Sequence, residues 1–548
     1  MMRWSTILCL FLQASLALSA QSDFYWIKFK DKASSPFQIG NPTQFLSQKS
    51  IERRNKQAIP ISENDLPVSQ AYIDSISPFI HQLVHRLKWF NMVVVKVGQN
   101  DYLDSIRQFS FVDSLAPIWF VPSRSVDMKD KFESVEPVDQ NNVDSGLYGI
   151  AYNQIRMLNA DLLHQLGYRG QGITVAMMDN GFVRADSIAG FDSIRPRIHQ
   201  TWNFVRNQMN VYTDGGHGTN TFSCIAGNVP GHFLGTAPDA DFFLYETEDI
   251  DDEWVMEEYN WAAAAEMADS SGADILSTSL GYTTFRSGAG DHTYADLTGD
   301  YTLITRASNM AFSKGMLVLN SAGNSGDDAW FYITAPADGT EVMAVGAVNP
   351  DRTITGFSSR GPNASGQIKP DVCAQGSSAA VLDISGNLAM AGGTSFSCPI
   401  LAGCAASLWG AFPEKSAQEI RQVIIESADR FNTPDNNYGY GIPNFYNAYL
   451  QLLTAYNPNT LNLQAGAVIY PIPFTDELNL SLYNEEEGER RIELFDLLGR
   501  KVYSFHIFLR AQTYELVCLD GIQSLSAGEY ILRMDGQKKY AQRILKMK

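Results

Sequence analysis

Ser395 lies in the stretch GGTSFSCPILAG, residues 392–403, where two glycines and a threonine lead into a serine and then an apolar, helix-compatible run from Phe396 to Leu408. A serine in the first turn of a helix meets free backbone N–H groups and the positive end of the helix dipole, and both favour negative charge developing on an oxygen. The same position suits a plain N-cap, so Ser395 needs partners before it reads as a nucleophile. Three candidates lie upstream. Asp179 closes the run GITVAMMD and is followed by Asn180 and Gly181, His217 lies in GGHGTN, and Asn324 lies in NSAGNSG after the run MLVL. Each alone is an ordinary turn or loop residue. Together they complement one another. A serine hydroxyl needs a neighbouring base, an imidazole needs a carboxylate to fix its tautomer and stabilise its cation, and a carboxamide N–H can bind an oxyanion.

These groups must be carried to one edge of a scaffold. From Gly172 onward, short apolar runs ending in small or polar residues alternate with helical segments. The pattern predicts strands at Ile173–Met178, Phe242–Tyr245, Ile275–Leu280, Met316–Asn320 and Val342–Val348. Helices are predicted at Trp254–Ser270 and Tyr301–Lys314, closed by Gly272 and Gly315. Such alternation implies an α/β domain with a parallel sheet covered on both faces and ligands at the carboxyl ends of its strands. Asp179 and Asn324 follow strands directly, and His217 and Ser395 open helices.

At 548 residues the chain is long enough for roughly three or four domains. With 45% hydrophobic and 18% charged residues it is globular, and a net charge of -19 argues against nucleic acid as a partner. Residues 1–20 carry Arg3, an apolar core from Ile7 to Leu18 and small residues at Ala17, Ser19 and Ala20, the layout of a secretory signal peptide. No later run reaches the ~20 apolar residues of a membrane span. Beyond Cys9, the cysteines are Cys224, Cys373, Cys398, Cys404 and Cys518. An odd, sparse set without CxxC spacing is neither a disulfide framework nor a metal site, so buried free thiols are expected.

Two smaller domains flank the α/β region. Tyr25, Ile27 and Phe29 alternate with polar neighbours, a helical stretch covers Pro42–Gln57, and a strand at Met92–Val97 precedes a helix near Asp101–Phe109. This predicts a small α+β domain over residues 21–120. The stretch 121–146 is polar and lacks apolar periodicity, at least through Asn142, and reads as a linker with a processing site. The α/β domain then spans 147–455. Leu478, Leu480 and Leu482 alternate cleanly, Ile492, Leu494 and Phe495 less so, and Tyr530–Met534 reads as a last strand. With turn glycines at 499, 521 and 528, these features predict a β-sandwich over 465–548, ending in Lys538, Lys539, Arg543, Lys546 and Lys548. The block Glu246–Glu258 holds eight carboxylates, and it reads as a solvated helix N-terminus. Calcium binding is the alternative for this block, though no stretch has the EF-hand layout.

The motifs AMMDNG, HGT, SAGNSG, FSSRGP (Phe357–Pro362), KPDVCAQG (Lys369–Gly376), GTSFSCP and YGYGIPN (Tyr438–Asn444) resemble those of the subtilisin-like serine peptidases, the subtilases. The resemblance implies a subtilisin-like fold that hydrolyses peptide bonds of extended polypeptides through an acyl-enzyme. It assigns Asp179 as orienter, His217 as general base and acid, Ser395 as nucleophile, and Asn324 with the Ser395 backbone N–H as oxyanion hole. Ser279, Leu280 and Gly281 match the strand on which an extended substrate pairs. It implies no required cofactor and no metal ligand in the site; calcium is frequent in the family, but no site for it is located. Asn180 after the acid and Phe396 beside the nucleophile depart from the usual pattern without removing a reacting group. The first domain resembles the family's inhibitory propeptide in position and βα pattern, which makes it a partner of the peptidase domain. The last resembles sorting domains of the type IX secretion route, through YPIPFTDELNLSL (Tyr470–Leu482), ELFDLLGRKV (Glu493–Val502) and LSAGEYILRM (Leu525–Met534). That implies contact with the secretion machinery and export across an outer membrane, to the cell surface or beyond. The esterase alternative fails, because GTSFS is not G-x-S-x-G and the histidine precedes the serine. A non-enzymatic adhesin on the same scaffold would be marked by loss of Asp179, His217 or Ser395, and all are present.

Overall fold

The computed structural model describes residues 23–33, 35–98, 101–118, 135–137, 146–250, 253–285, 290–456, 461–462, 467–470, 472–484, 487–509, 513–519, 521–535 and 540–547. The expected signal segment and most of the expected linker lie outside them. In the first domain, β1 (Phe24–Phe29), β2 (Gln82–Leu87), β3 (Met92–Lys96) and β4 (Val112–Ile118) form an antiparallel sheet in the order β2-β3-β1-β4. Helices α1 (Gln48–Lys56), α2 (Gln70–Ile76) and α3 (Asp101–Arg107) complete the α+β unit. Strand alternation sends Tyr25, Ile27 and Phe29 into a core with Ile73, Ile76, Leu103 and Ile106. The opposite face, with Leu87, Trp89, Met92, Val94 and Ile118, enters a second core shared with the α/β domain. A short strand, β5 (Val135–Pro137), lies inside the stretch expected to be a linker. Three residues bounded by polar chain carry no readable period.

The α/β domain opens with α4 (Tyr152–Arg156), and α5 (Ala160–Gln165) follows in the chain. It continues through β6 (Thr174–Asp179), β7 (Ile198–Asn203), α6 (His217–Ala226), and a small hairpin of β8 (Asn228–Val229) and β9 (Phe233–Leu234). Next come β10 (Asp241–Glu246), α7 (Met256–Ser271), β11 (Ile275–Thr278), α8 (Leu303–Ser313), β12 (Leu317–Ser321), β13 (Met343–Val348) and β14 (Val372–Gln375). An antiparallel hairpin of β15 (Ala379–Leu382) and β16 (Leu388–Ala391) then leads into α9 (Thr394–Ala411) and α10 (Ala417–Glu426).

Seven strands make one parallel sheet in the order β14-β13-β12-β11-β6-β10-β7. All residues of β6 and β13 are buried, which is why they read as unbroken apolar runs. The edge strand β7, IHQTWN, escaped notice because only one of its residues is buried. Successive connections reverse direction about β6, and that reversal opens a crevice at its carboxyl end, beside Asp179. Ala176 and Met178 on one face of β6 pack with α7 and α8, while α6 and α9 lie on the other. Residues 394–409 of α9 are all buried, including Ser395 at the edge where the helix begins, so it is a central helix.

The first domain is fastened to α7 and α8 by a buried polar cluster. Asp269 on α7 lies 2.5 Å from Arg53 Nη2, 2.8 Å from Arg54 Nη2 and 3.3 Å from Lys88 Nζ. Asp65 lies 3.0 Å from Arg54 Nη2 and 2.9 Å from Lys314 Nζ. Glu266 on α7 accepts the backbone N–H groups of Lys88 (2.7 Å) and Trp89 (2.9 Å).

Within the acidic block, Glu246, Glu248, Glu257 and Glu258 are buried, which corrects the expectation of a solvated face. They are held by polar neighbours, such as Tyr282 on Glu248 and His292 on Glu258, that lie far away in sequence.

A second compact unit, residues 159–167 and 444–548, contains α5, α11 (Phe445–Tyr456) and a β-rich region. Strands β17 (Leu461–Asn462), β18 (Ala467–Tyr470), β19 (Asn479–Asn484), β20 (Gly488–Asp496), β21 (Lys501–Leu509), β22 (Thr513–Cys518), β23 (Gly528–Met534) and β24 (Tyr540–Lys546) form two four-stranded sheets, ordered β17-β18-β19-β22 and β21-β20-β23-β24. Leu478, Leu480, Leu482, Ile492 and Leu494 share its core. The alternation falters after Leu494 because a bulge shifts the β20–β21 register there. The strand at Tyr530–Met534 is not the last, since β24 follows it and buries Lys546, whose Nζ donates to the Ile522 carbonyl at 2.7 Å.

Candidate functional site

The four candidate groups, Asp179, His217, Ser395 and Asn324, come from four different elements at the carboxyl edge of the sheet. Asp179 is the last residue of β6, His217 the first of α6, Ser395 the second of α9, and Asn324 follows β12. Asp179 Oδ1 lies 2.7 Å from His217 Nδ1 and accepts the Asn180 N–H at 2.8 Å, and its Oδ2 accepts the Thr221 hydroxyl at 3.0 Å. Thr221 is one helical turn after His217 on the same face, so α6 both presents the imidazole and orients the carboxylate that holds it. Gly218 is required for this approach. A Cβ built on it would stand 2.1 Å from the Gly181 carbonyl oxygen. Asn180 earns its departure from the usual residue type, since its Oδ1 accepts the Gly218 N–H at 3.2 Å.

Glu246 lies beside Asp179 in the register of β10 on β6. Burial, outweighing the opposing charge of Arg206, pushes its carboxyl up to about 8, so it is largely uncharged at neutral pH and does not set a second anion beside Asp179.

Helix α9 packs on α6, and the Phe396 ring sits 6.0 Å from the His217 ring, centre to centre. Pro399 lies inside α9 and has no N–H for the carbonyl four residues earlier, which is that of Ser395. That carbonyl accepts instead from the Ser279 hydroxyl at 2.8 Å. A helix defect thus ties the segment Ser279–Gly281 to the serine. Replacing Ser279 by alanine is expected to cost about 1–3 kcal/mol by leaving a buried acceptor short of its donor. Thermal unfolding of Ser279→Ala measures this, and an unchanged midpoint would remove the bond from the account of the site.

Asn324 is oriented in the same manner. Its Oδ1 accepts both the N–H and the hydroxyl of Thr394 at 2.8 Å, and the Gly323 N–H donates to Thr394 Oγ1 at 3.2 Å. With the oxygen held by Thr394, the amide nitrogen is turned the other way, and both Asn324 and Ser395 line one cavity with Ser279, Leu280 and Gly281. Reading the sequence alone missed Thr221 and Thr394, the residues that orient the acid and the amide. Thr221 carried a signal in its helical spacing from His217, whereas Thr394 did not.

The free cysteines follow expectation for four of five: Cys224, Cys373, Cys398 and Cys404 are buried, whereas Cys518 is exposed. Burial pushes the Cys398 thiol up to about 12, so near Ser395 the available nucleophile is a hydroxyl and not a thiolate. Among the described residues, no group of three or more His, Cys, Asp or Glu side chains is placed to hold a metal ion.

A doubly covered parallel sheet thus carries an Asp–His pair and a helix-borne serine at its switch point. The model of the subtilase family matches residues 170–441, and the chain belongs to that family. A Peptidase S8 propeptide domain of the Bacteroidota matches residues 24–134, and a secretion system C-terminal sorting domain matches 468–547. Among individual relatives, the chain is similar to the subtilisin-like protease SBT6.1 of Arabidopsis thaliana, at 28% identity over 320 residues, covering 55% of this chain and 28% of that protein. It is 25% identical over 383 residues to the membrane-bound transcription factor site-1 protease of Mus musculus, covering 64% of this chain and 33% of that one. It is 30% identical over 315 residues to the serine protease AprX of Bacillus subtilis, covering 51% of this chain and 66% of AprX. The chain therefore spans about a third or less of the length of the first two relatives. The sorting domain marks it for export across the outer membrane, to the cell surface or the medium. No helix among the described residues is long and apolar enough to cross a membrane.

Proposed function

We propose that this chain is the precursor of an exported serine endopeptidase that cleaves extended polypeptides through an acyl-enzyme. In this reading Asp179 fixes the His217 tautomer. His217 takes the proton of the Ser395 hydroxyl as its oxygen attacks the scissile carbonyl, and then delivers that proton to the leaving amine. The Asn324 amide and the Ser395 backbone N–H bind the oxyanion, and Ser279, Leu280 and Gly281 pair with the substrate backbone. The three side chains supply nucleophile, base and orienter, so the reaction needs no cofactor; calcium is assigned no part in it. The observation that carries the reading is the buried 2.7 Å Asp179–His217 contact at the foot of α6, against which the serine-bearing α9 packs. A fluorophosphonate probe is expected to label the processed protein and to leave Ser395→Ala unlabelled. Equal labelling of both would remove Ser395 as nucleophile.

We place the domain boundaries at 21–120 for the propeptide, 121–146 for the processed linker, 147–455 for the peptidase and 465–548 for the sorting domain. The propeptide acts as an inhibitor held on α7 and α8, and the sorting domain engages the secretion machinery.

The inhibitor contact carries a titrating group. His85 Nε2 lies 2.7 Å from Asn260 Oδ1 on α7, and burial pushes the imidazole down to about 4. A depressed histidine favours the separated domains when protonated. Its contribution is whole above the ordinary value of 6.5 and is lost as pH falls from there toward 4. Taken by itself, the His85 contribution weakens inhibition about 20-fold between pH 7 and 5. Glu266 on the same helix, pushed up to about 7 by burial, titrates with the opposite sign. The inhibition constant is therefore measured across pH for both wild type and His85→Gln. Parallel profiles would exclude His85.

A further inference from the structure

The cavity beside Ser395, of about 210 Å³, has one wall made by the segment Ser279–Gly281 and another that bears two carboxyl side chains. Glu248 and Glu253 both line it, and among the described residues none of its lining is Lys, Arg or His. Glu248 is 1% exposed and accepts from the Tyr282 and Thr247 hydroxyls. Burial first, then the charges of Glu248, Glu257 and Glu253, hold the Tyr282 phenol protonated, so several carboxyl groups gather around Tyr282.

A second observation points to a polar ligand. Thr334 lines the same cavity, is 7% exposed, and its Oγ1 has no hydrogen-bond partner among the described residues. That hydroxyl faces the two glycines of the substrate walls. A Cβ on Gly281 would lie 2.0 Å from it, and one on Gly323 would lie 3.1 Å away. A native protein rarely buries a hydroxyl without a partner unless something else supplies one. An extended chain paired on Ser279–Gly281, with its carbonyl between Ser395 and Asn324, directs acyl-side side chains into this space.

We propose that the cavity selects polypeptides carrying lysine or arginine on the acyl side of the scissile bond, with Glu248 and Glu253 supplying the countercharge and Thr334 Oγ1 accepting an N–H. The proposal rests on the peptidase reading of Ser395. An apolar side chain would instead desolvate the carboxylates and leave the threonine hydroxyl unpaired, which disfavours it. The chain itself carries such residues in the right place. Arg124, Lys129 and Lys131 are the only basic residues between Ile118 and Tyr152, and all precede β5. Strand β5 pairs antiparallel with β16, Val135 opposite Ala391, four residues before Ser395. Its direction leads away from the serine, as befits chain that follows a cut.

The test digests a random peptide library with the self-processed wild-type protein and sequences the new ends, alongside fluorophosphonate labelling. Lysine and arginine are expected at least tenfold enriched at one acyl-side position, and the processed chain is expected to begin after Arg124, Lys129 or Lys131. For a peptide pair differing only in lysine or methionine at that position, Glu253→Gln is expected to lower the kcat/KM ratio at least tenfold, and Glu253→Lys to shift preference toward glutamate. Glu253 is half-buried, so these variants spare the Tyr282 contact of Glu248. A labelled enzyme that cleaves without basic enrichment, or whose ratio is unmoved by both Glu253 substitutions, overturns the proposal alone. A protein that neither labels nor cleaves overturns the peptidase reading with it.

Discussion

Asp179→Asn is expected to lower kcat on a peptide substrate by about four orders of magnitude, with a much smaller change in KM. The carboxylate is buried, and three donors converge on it: His217 Nδ1, the Asn180 N–H and the Thr221 hydroxyl. A carboxylate accepts from all three. A carboxamide must turn its NH2 toward one of them, which either breaks the donor set or imposes the wrong imidazole tautomer, and it carries no charge to balance an imidazolium. Thr221→Val removes one donor and keeps the charge, so a much smaller loss is expected. The measurement is kcat normalised to active sites, on protein whose propeptide has been removed by added wild-type enzyme. A loss under tenfold for Asp179→Asn would mean that the histidine is held by something other than Asp179.

The second large effect is expected at the opposite face of the sheet. Asp269→Ala should weaken the hold of the propeptide on the peptidase by about 10²–10⁴-fold, equivalent to about 3–5 kcal/mol. Although burial opposes it, the cations of Lys88, Arg53 and Arg54 keep the Asp269 carboxyl below its ordinary range. Arg54 is fully buried, and its Nε and Nη1 have no partner among the described residues, so its charge depends on Asp269 and Asp65. Removing Asp269 strands these cations in the interface. The processed peptidase, in which α7 is free of Arg53, Arg54 and Lys88, should keep its activity. The inhibition constant of the released propeptide separates the two effects. Equal inhibition of wild type and Asp269→Ala would show that the cluster contributes specificity without affinity.

Which features could be read from the residues follows from how locally each is determined. β6 and β13 are buried on both faces, so their composition alone marks them, and Asp179 at the end of β6 is marked with them. His217, Asn324 and Ser395 were legible because glycine-rich turns flank each. Glu248 was misread as solvated because nothing near it in sequence forecasts Tyr282, 34 residues on, as its hydrogen-bond partner. The hydroxyl of Thr334 was invisible for the same reason, since its surroundings are assembled from Gly281 and Gly323 in other loops. β5 was hidden because a three-residue strand is defined by the partner that recruits it, here β16, rather than by its own pattern.

The first domain meets α7 and α8 while it is still covalently joined to them. In that state its association is unimolecular, governed by an effective concentration that linkers of modest length set in the millimolar range. Cutting the linker changes no contact at the Asp269 cluster, yet it turns the same interface into a bimolecular one whose occupancy falls with dilution. For an exported protein, release into a larger volume after such a cut would be a dilution of this kind. Activation would then be timed by where the molecule is, with the cut setting the possibility and dispersal completing it.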